Sequence, residues 1–202
     1  MILVVCAVER ELRHWKPRPQ IETLVAGIGP VEAAAATARA LTTSSPSCVI
    51  NAGIAGAFSG RARVGDGFAV ETDYFAELGL EGGAPLPSLP GGARLVTQAD
   101  SDPALLTTAR RAGARIGNAV TVSTVTQTRA RADELAARFE AELEAMEGFA
   151  VLRAAALASV PAIELRGVSN VVGPREESGW DFDAGARAVA ALLDRFLDEY
   201  EV

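Results

Sequence analysis

Acidic and amide-bearing stretches carry most of the chemistry this chain can do: Ala7-Val8-Glu9-Arg10-Glu11, Glu144-Ala145-Met146-Glu147-Gly148 and Arg166-Gly167-Val168-Ser169-Asn170. A positioned carboxylate can take a proton from water or stabilise a developing cation. A carboxamide can only donate and accept hydrogen bonds. Glu147 opens a long apolar helix, and a helical reading puts Glu147, Ala150, Val151, Ala154 and Ala158 on one face. An acid on such a face loses water, which is costly without a partner. The plainer alternative is an anion at the N-terminus of its own helix, where the dipole favours it. Glu9 and Glu11 follow the first strand and Ser169-Asn170 follow the last. That placement favours chemistry, because ligands of open α/β sheets bind beyond the carboxyl ends of the strands.

Several other chemistries are excluded. Gly27-Ile28-Gly29 follows a strand and opens a helix, but position 32 is Glu32 where a dinucleotide fingerprint needs glycine. No acidic residue follows at the spacing a ribose would require. The only lysine, Lys16, precedes proline, so no Walker A loop exists. Gly167-Val168-Ser169-Asn170-Val171 nearly matches a nucleophile elbow, but ends in Val171. That fold also needs a histidine after the serine, and the single histidine, His14, lies far upstream. One histidine and no cysteine pair at ligand spacing leave no zinc site, and no metal or organic cofactor is implied.

The elements that position these residues alternate short apolar strands with alanine-rich helices, as in a layered α/β domain. Strands are expected at Ile2–Ala7, Ile21–Ala26, Cys48–Ala52, Gly67–Thr72, Arg94–Thr97, Ala119–Val125 and Ala162–Val168. Helices are expected at Val31–Thr42, Pro103–Ala112, Ala130–Glu142, Gly148–Ala158 and Ala184–Glu199, with Pro30 placed to start the first. The glycines of Asn51-Ala52-Gly53-Ile54-Ala55-Gly56-Ala57 allow a ligand to approach the backbone. The Gly- and Pro-rich run 79–92 reads as a long loop, either a lid or interface element or a plain surface connection.

The 202 residues, 49% of them hydrophobic, suit one domain spanning 1–202 with a sizeable core. No apolar run is long enough to span a bilayer. The N-terminus reads as a strand and not as a signal peptide. A net charge of -7 argues against a nucleic-acid surface. Cys6 and Cys48 lie in apolar runs, as reduced core residues of a cytoplasmic protein would.

At this point the chain resembles the nucleoside phosphorylase and nucleosidase superfamily, closest to its methylthioadenosine nucleosidase and futalosine hydrolase branch. The resemblance covers nearly the whole chain. It rests on Ala7-Val8-Glu9-Arg10-Glu11-Leu12, Gly27-Ile28-Gly29-Pro30, Asn51-Ala52-Gly53-Ile54-Ala55-Gly56, Val64-Gly65-Asp66, Met146-Glu147-Gly148 and Arg166-Gly167-Val168-Ser169-Asn170, in that order. It implies a three-layer α/β/α fold with a mixed central sheet, and a homo-oligomer, dimer or larger. It also implies roles. Glu11 matches the glutamate that activates water. Met146 and Glu147 match the pair that packs on and hydrogen-bonds the ribose. Ala52, Gly53 and Ile54 match the turn lining the site near the sugar, and Ser169 matches the last motif. Asn170 stands where the nucleosidases carry the aspartate that protonates purine N7.

Asn170 is a departure with consequences. Its NH2 can donate to N7 and to the 6-oxo oxygen of hypoxanthine, whereas adenine would face donor against donor. Mismatched buried polar groups cost enough to set specificity. The expected substrate is therefore a 6-oxopurine nucleoside. Val172-Gly173-Pro174-Arg175 resembles the futalosine hydrolase form of the motif, which makes Arg175 a partner for a substrate benzoate. An exposed loop arginine beside Glu176 and Glu177 is the plain alternative. The expected reaction is hydrolysis of futalosine to release hypoxanthine, in menaquinone synthesis by the futalosine route. Glu11 near C1 would repel phosphate, which argues against a purine nucleoside phosphorylase, although the direction of Arg10 bears on this. Asn170 argues against a methylthioadenosine or adenosylhomocysteine nucleosidase. A nucleoside-binding protein without catalysis is the remaining alternative.

Overall fold

The structure, a computed structural model, describes residues 1–80, 95–176 and 179–200. Most of the expected loop 79–92, and Glu177, lie outside them. In chain order the elements are β1 (Ile2–Cys6), a 3-10 turn (Glu9–Leu12), β2 (Ile21–Val25), α1 (Pro30–Thr43), β3 (Cys48–Ala57), β4 (Gly67–Phe75) and β5 (Gln98–Asp100). They continue as α2 (Pro103–Arg111), β6 (Arg115–Thr121), α3 (Arg129–Phe139), β7 (Leu143–Ala145), α4 (Gly148–Leu157), β8 (Ala162–Val171) and α5 (Phe182–Tyr200).

The strands form one mixed sheet in the order β2-β1-β3-β7-β6-β4-β5, with β8 pairing both β3 and β4. Pairing therefore runs around a ring, β3-β8-β4-β6-β7 and back to β3. Small and branched side chains such as Ala55, Ala57, Val70, Ala119, Leu143 and Val168 pack with Phe68 in a shared cluster. The sheet faces carry separate cores. Ile2, Val4, Ile50 and Ala52 meet Leu105 and Leu106 of α2 and Val189, Leu192 and Phe196 of α5. Leu3, Val5 and Val49 meet Ala33 of α1 and Phe149, Leu152 and Ala155 of α4. Alternate β3 residues thus serve opposite layers, as the period of a strand requires. The expected three-layer arrangement is present.

Local chemistry sets the helix ends. Pro30 opens α1 and Pro103 opens α2, where the Asp102 carboxylate accepts the Ala104 and Leu105 N–H groups at 2.8 and 3.2 Å. Helix α3 stops at Phe139, short of the expected Glu142, because Glu140 turns into the left-handed region (φ 48°) to feed β7. Strand β7 was absent from the sequence expectations. Strand β6 ends at Thr121 and not at Val125. Beyond it, the Glu77 carboxylate takes the Ser123 N–H (2.7 Å) and Glu144 takes the Thr126 N–H (3.0 Å), drawing the chain off the sheet. The expected strand 94–97 is displaced to Gln98–Asp100, pairing antiparallel with Thr72–Tyr74; Arg94 lies outside the described residues. Among the described residues, no helix is long and apolar enough to cross a membrane.

Candidate active site

A cleft of about 190 Å³ opens at the carboxyl ends of β1, β3 and β8. Its walls include Glu11, Ile54, Gly56, Met146, Glu147, Ser169 and Asn170, with Glu144, Val125, Ile28, Trp180 and Phe182.

Glu11 occupies the third position of the 3-10 turn, and its side chain folds back over the turn. Its Oε2 accepts the Ala7 and Val8 N–H groups at 2.8 and 3.1 Å, and Oε1 accepts the Ile54 N–H at 2.9 Å. Three backbone donors from two strand ends thus fix a carboxylate that is only 3% exposed. Gly53 makes this possible. A Cβ there would collide with Glu11 Oε1 and Arg166 Nη1. Its missing side chain therefore admits the protein's own carboxylate and guanidinium, and not a ligand as the sequence suggested.

Glu147 is the N-cap of α4, but its side chain makes no cap hydrogen bond. It reaches across the chain instead, and Oε1 accepts the Gly29 N–H at 2.8 Å. Gly29 sits at φ 94°, a conformation glycine adopts cheaply, which aims that N–H outward from the start of α1. Burial pushes the Glu147 carboxyl above its ordinary range, and Arg166 and the Gly29 N–H only partly offset this. The capping alternative is thereby set aside. The expected apolar face holds for Ala150, Val151 and Ala154, whereas Ala158 is exposed at the helix C-cap.

Asn170 is placed by a β-bulge. Register between β3 and β8 shifts after Ala55, so that Ala55 pairs with Val168 and Gly56 with Asn170, leaving Ser169 extra. Ser169 Oγ donates to Asn170 Oδ1 at 2.8 Å. Asn170 Nδ2 donates one hydrogen to the Val171 carbonyl at 3.2 Å. The amide oxygen is thus occupied and one N–H remains for a ligand, where the sequence reading allowed two.

Two further expected binding residues lie elsewhere. Ala52 is fully buried among Ile50, Leu165 and Val189, because strand alternation turns it into the α2/α5 core. Arg175 is exposed on the loop after β8, outside the cleft lining. Arg10 lies with its guanidinium 4.5 Å from the centre of the Phe182 ring, a cation–π distance. Trp180, Phe182, Val125 and Glu144 line the cleft without having been singled out from the sequence. Trp180 and Phe182 follow a run with no periodic pattern, although two aromatics close together in a loop-to-helix junction were a usable signal.

Behind the cleft lies a buried charged network. Arg166 is 1% exposed, and its Nε donates to Glu164 Oε1 at 2.7 Å. With its amide oriented to suit both neighbours, Asn51 accepts from Arg166 Nη2 at 2.7 Å and donates to the Val5 carbonyl at 3.2 Å. Burial works against the Arg166 charge, but Glu164, Glu147 and Glu11 together hold its pKa above the ordinary value. Asp73 is fully buried beside Glu164. Burial and that neighbouring carboxylate push Asp73 well above the usual carboxylate range, which favours its protonated form. Both acids press on Gly148, where a Cβ would collide with each. The glycine after Glu147 is therefore required by the acids beneath it.

The family pattern of the phosphorylase superfamily matches residues 19–198. The futalosine hydrolase of Streptomyces coelicolor is 43% identical over 182 residues, covering 86% of this chain and 75% of that protein. The futalosine hydrolase of Thermus thermophilus is 36% identical over 181 residues, covering 87% of this chain and 80% of that protein. Among solved structures, the 5'-methylthioadenosine/S-adenosylhomocysteine nucleosidase of Neisseria meningitidis, in complex with methylthio-immucillin-A, superposes with a TM-score of 0.79. It is 22% identical and covers 97% of each chain, a likeness of fold.

Proposed function

The chain belongs to the phosphorylase superfamily and, within it, to the futalosine hydrolases, and on that premise we propose that it hydrolyses the N-glycosidic bond of futalosine and releases hypoxanthine. Its place is then in menaquinone synthesis by the futalosine route. The observation that carries hydrolysis over phosphorolysis is the set of bonds made by Glu11. The Ala7, Val8 and Ile54 amides, groups able to hold a phosphate, already hold its carboxylate. The nearby cations are also engaged. Arg166 binds Glu164, and Arg10 lies over Phe182.

The bond breaks through a transition state with oxocarbenium character. Glu147 binds the ribose hydroxyls and stabilises the developing positive charge. Glu11 orients and deprotonates the attacking water. Met146 packs on the ribose. Asn170 donates its remaining N–H to the N7 and 6-oxo edge and eases departure of the base. Asn170 has no proton to give up, so N7 is either protonated through water or served by hydrogen bonding alone. Trp180, Phe182 and Ile28 offer apolar surface for the 5' substituent.

We keep Arg175 as the partner of the futalosine carboxylate. Arg175→Ala should raise KM for futalosine and leave inosine unchanged; an equal loss on both contradicts that role. A homo-oligomer fits the exposed Val25, Ile28 and Val31 near the cleft mouth, and sedimentation would read its order. A cytoplasmic location fits the buried, unpaired Cys6 and Cys48. The test of the whole reading is chromatography after incubation with futalosine in phosphate-free buffer. Free hypoxanthine is expected. Release that needs phosphate, or no release at all, overturns it.

A further inference from the structure

Glu147 does not serve its own helix. The first N–H groups of a helix have no partner within it, and the N-cap side chain ordinarily accepts the one two or three residues on. Glu147 is the N-cap of α4, and its side chain makes no such bond. The Phe149 N–H, two residues on, is left to find another acceptor. Phe149 is buried, and a buried N–H without an acceptor is costly.

The acceptor comes from the sheet. Thr121 Oγ accepts the Phe149 N–H at 2.9 Å, and its hydroxyl donates to Asp73 Oδ2 at 3.0 Å. Parallel pairing of β6 with β7 puts Thr121 beside Ala145, two residues before Glu147 and within reach of the first turn of α4. Both Thr121 and Asp73 are fully buried, so water does not compete for these bonds. A hydroxyl can accept and donate at once, and here its two bonds fix its direction. Asp73 offers it an oxygen in either protonation form. The support continues inward. Asp73 Oδ2 and both oxygens of Glu164 crowd the point where a Cβ on Gly148 would sit, and Glu164 is tied to Arg166. Negative charge beneath the N-terminus of α4 also suits the helix dipole.

Resting on the ribose-binding role given to Glu147, we infer that Thr121, backed by Asp73, is a positioning residue for the reaction: it caps α4 in place of Glu147 and so leaves that carboxylate free to face the cleft. Without the Thr121 hydroxyl the Glu147 carboxylate has a second place to go. It can turn back to the N–H groups of its own helix, as N-cap side chains do, and away from Gly29 and the ribose.

Thr121→Val removes the hydroxyl at nearly constant shape. The kcat for futalosine should fall ~10–10²-fold, the scale of one misdirected hydrogen-bonding group. Thr121→Ser keeps the hydroxyl and should stay within about threefold of wild type. Because the cap acts through Glu147, Thr121→Val should lower turnover by a far smaller factor in a Glu147→Gln background. A merely structural role would give the same factor in both backgrounds. Equal factors, or a fully active Thr121→Val, overturn the inference alone. Full activity in Glu147→Gln overturns the ribose reading and the inference with it. Amide hydrogen exchange of the wild-type protein gives a readout that needs no variant to fold. The Phe149 N–H should exchange as slowly as Leu152 inside α4, although it lies in the first turn. Fast exchange at Phe149 in the folded protein overturns the cap.

Discussion

Glu11 and Glu147 at the cleft differ from Asp73 and Glu164 behind it in what holds them. The cleft acids rest on backbone N–H groups, from Ala7, Val8, Ile54 and Gly29. The inner acids rest on a side-chain charge and a shared environment: Glu164 on Arg166, and Asp73 on the Thr121 hydroxyl at 3.0 Å. Arg166 joins the two sets, with Nε on Glu164 and Nη1 close to Glu11 across Gly53. Backbone donors fix a carboxylate's position while leaving room for substrate. A buried cation balances charge that water cannot reach. The cleft can therefore hold two carboxylates close together because their counter-charge is stored one layer deeper.

The largest effect should come from removing that counter-charge. Arg166→Met leaves Glu164 buried without a partner and should cost ~3–5 kcal/mol of stability, with loss of turnover. Chemical denaturation reads the first and product release the second. A variant of wild-type stability would mean that the inner acids do not depend on Arg166.

Next come the cleft acids themselves. Glu11→Gln should reduce turnover ~10²–10⁴-fold, the ordinary scale of a positioned base, with far less effect on stability. In the proposed mechanism Glu147 acts in its ionised form, and burial raises its carboxyl, so activity should fall with decreasing pH at values above the usual carboxylate range. Glu147→Gln should abolish that limb along with most of the activity. Full activity in either variant would remove the cleft acids from the mechanism.

Asp73→Asn should be milder, within about 1 kcal/mol at low pH, since it replaces an acid whose neutral form burial favours with a neutral isostere. The direction follows from linkage. A carboxyl whose folded pKa is raised stabilises fully below its unfolded value, and that contribution is lost as pH rises to the folded pKa. Wild-type stability should therefore decline over that interval relative to Asp73→Asn. Parallel curves would show that Asp73 is not protonated.

The smallest effect calibrates the rest. Arg131 and Glu134 form an ion pair on α3 at 2.8 Å, nearly the same length as Arg166–Glu164, but in solvent. Glu134→Gln should cost ~0.2–0.5 kcal/mol. A larger loss would weaken the case that burial, and not distance, separates the two pairs.

Much of this was legible in the chain. Glu11, Glu147 and Asn170 announce themselves because acids and amides at strand ends are expensive unless used, and the structure brings them to one cleft. The helices were readable from alanine-rich periods with proline starts. Strand β7 was hidden because it is short and its partners are remote in sequence. The end of β6 was misplaced because Glu77 and Glu144, not local pattern, decide where the strand stops. Ala52 was misassigned because a glycine-rich run says that something approaches closely without saying what. At Gly53 it is Glu11 and Arg166. Glu144 was passed over as a cleft-wall residue because β7, the three-residue strand that carries it, has no local signature.

The proposed reaction requires water, and not phosphate, to reach C1 of the ribose beside Glu11. Incubation with futalosine in 18O-labelled water containing phosphate tests that directly, with mass spectrometry of the sugar product at early times. The expected result is one 18O atom at C1, free hypoxanthine, and no sugar phosphate. A sugar 1-phosphate without the label would contradict it.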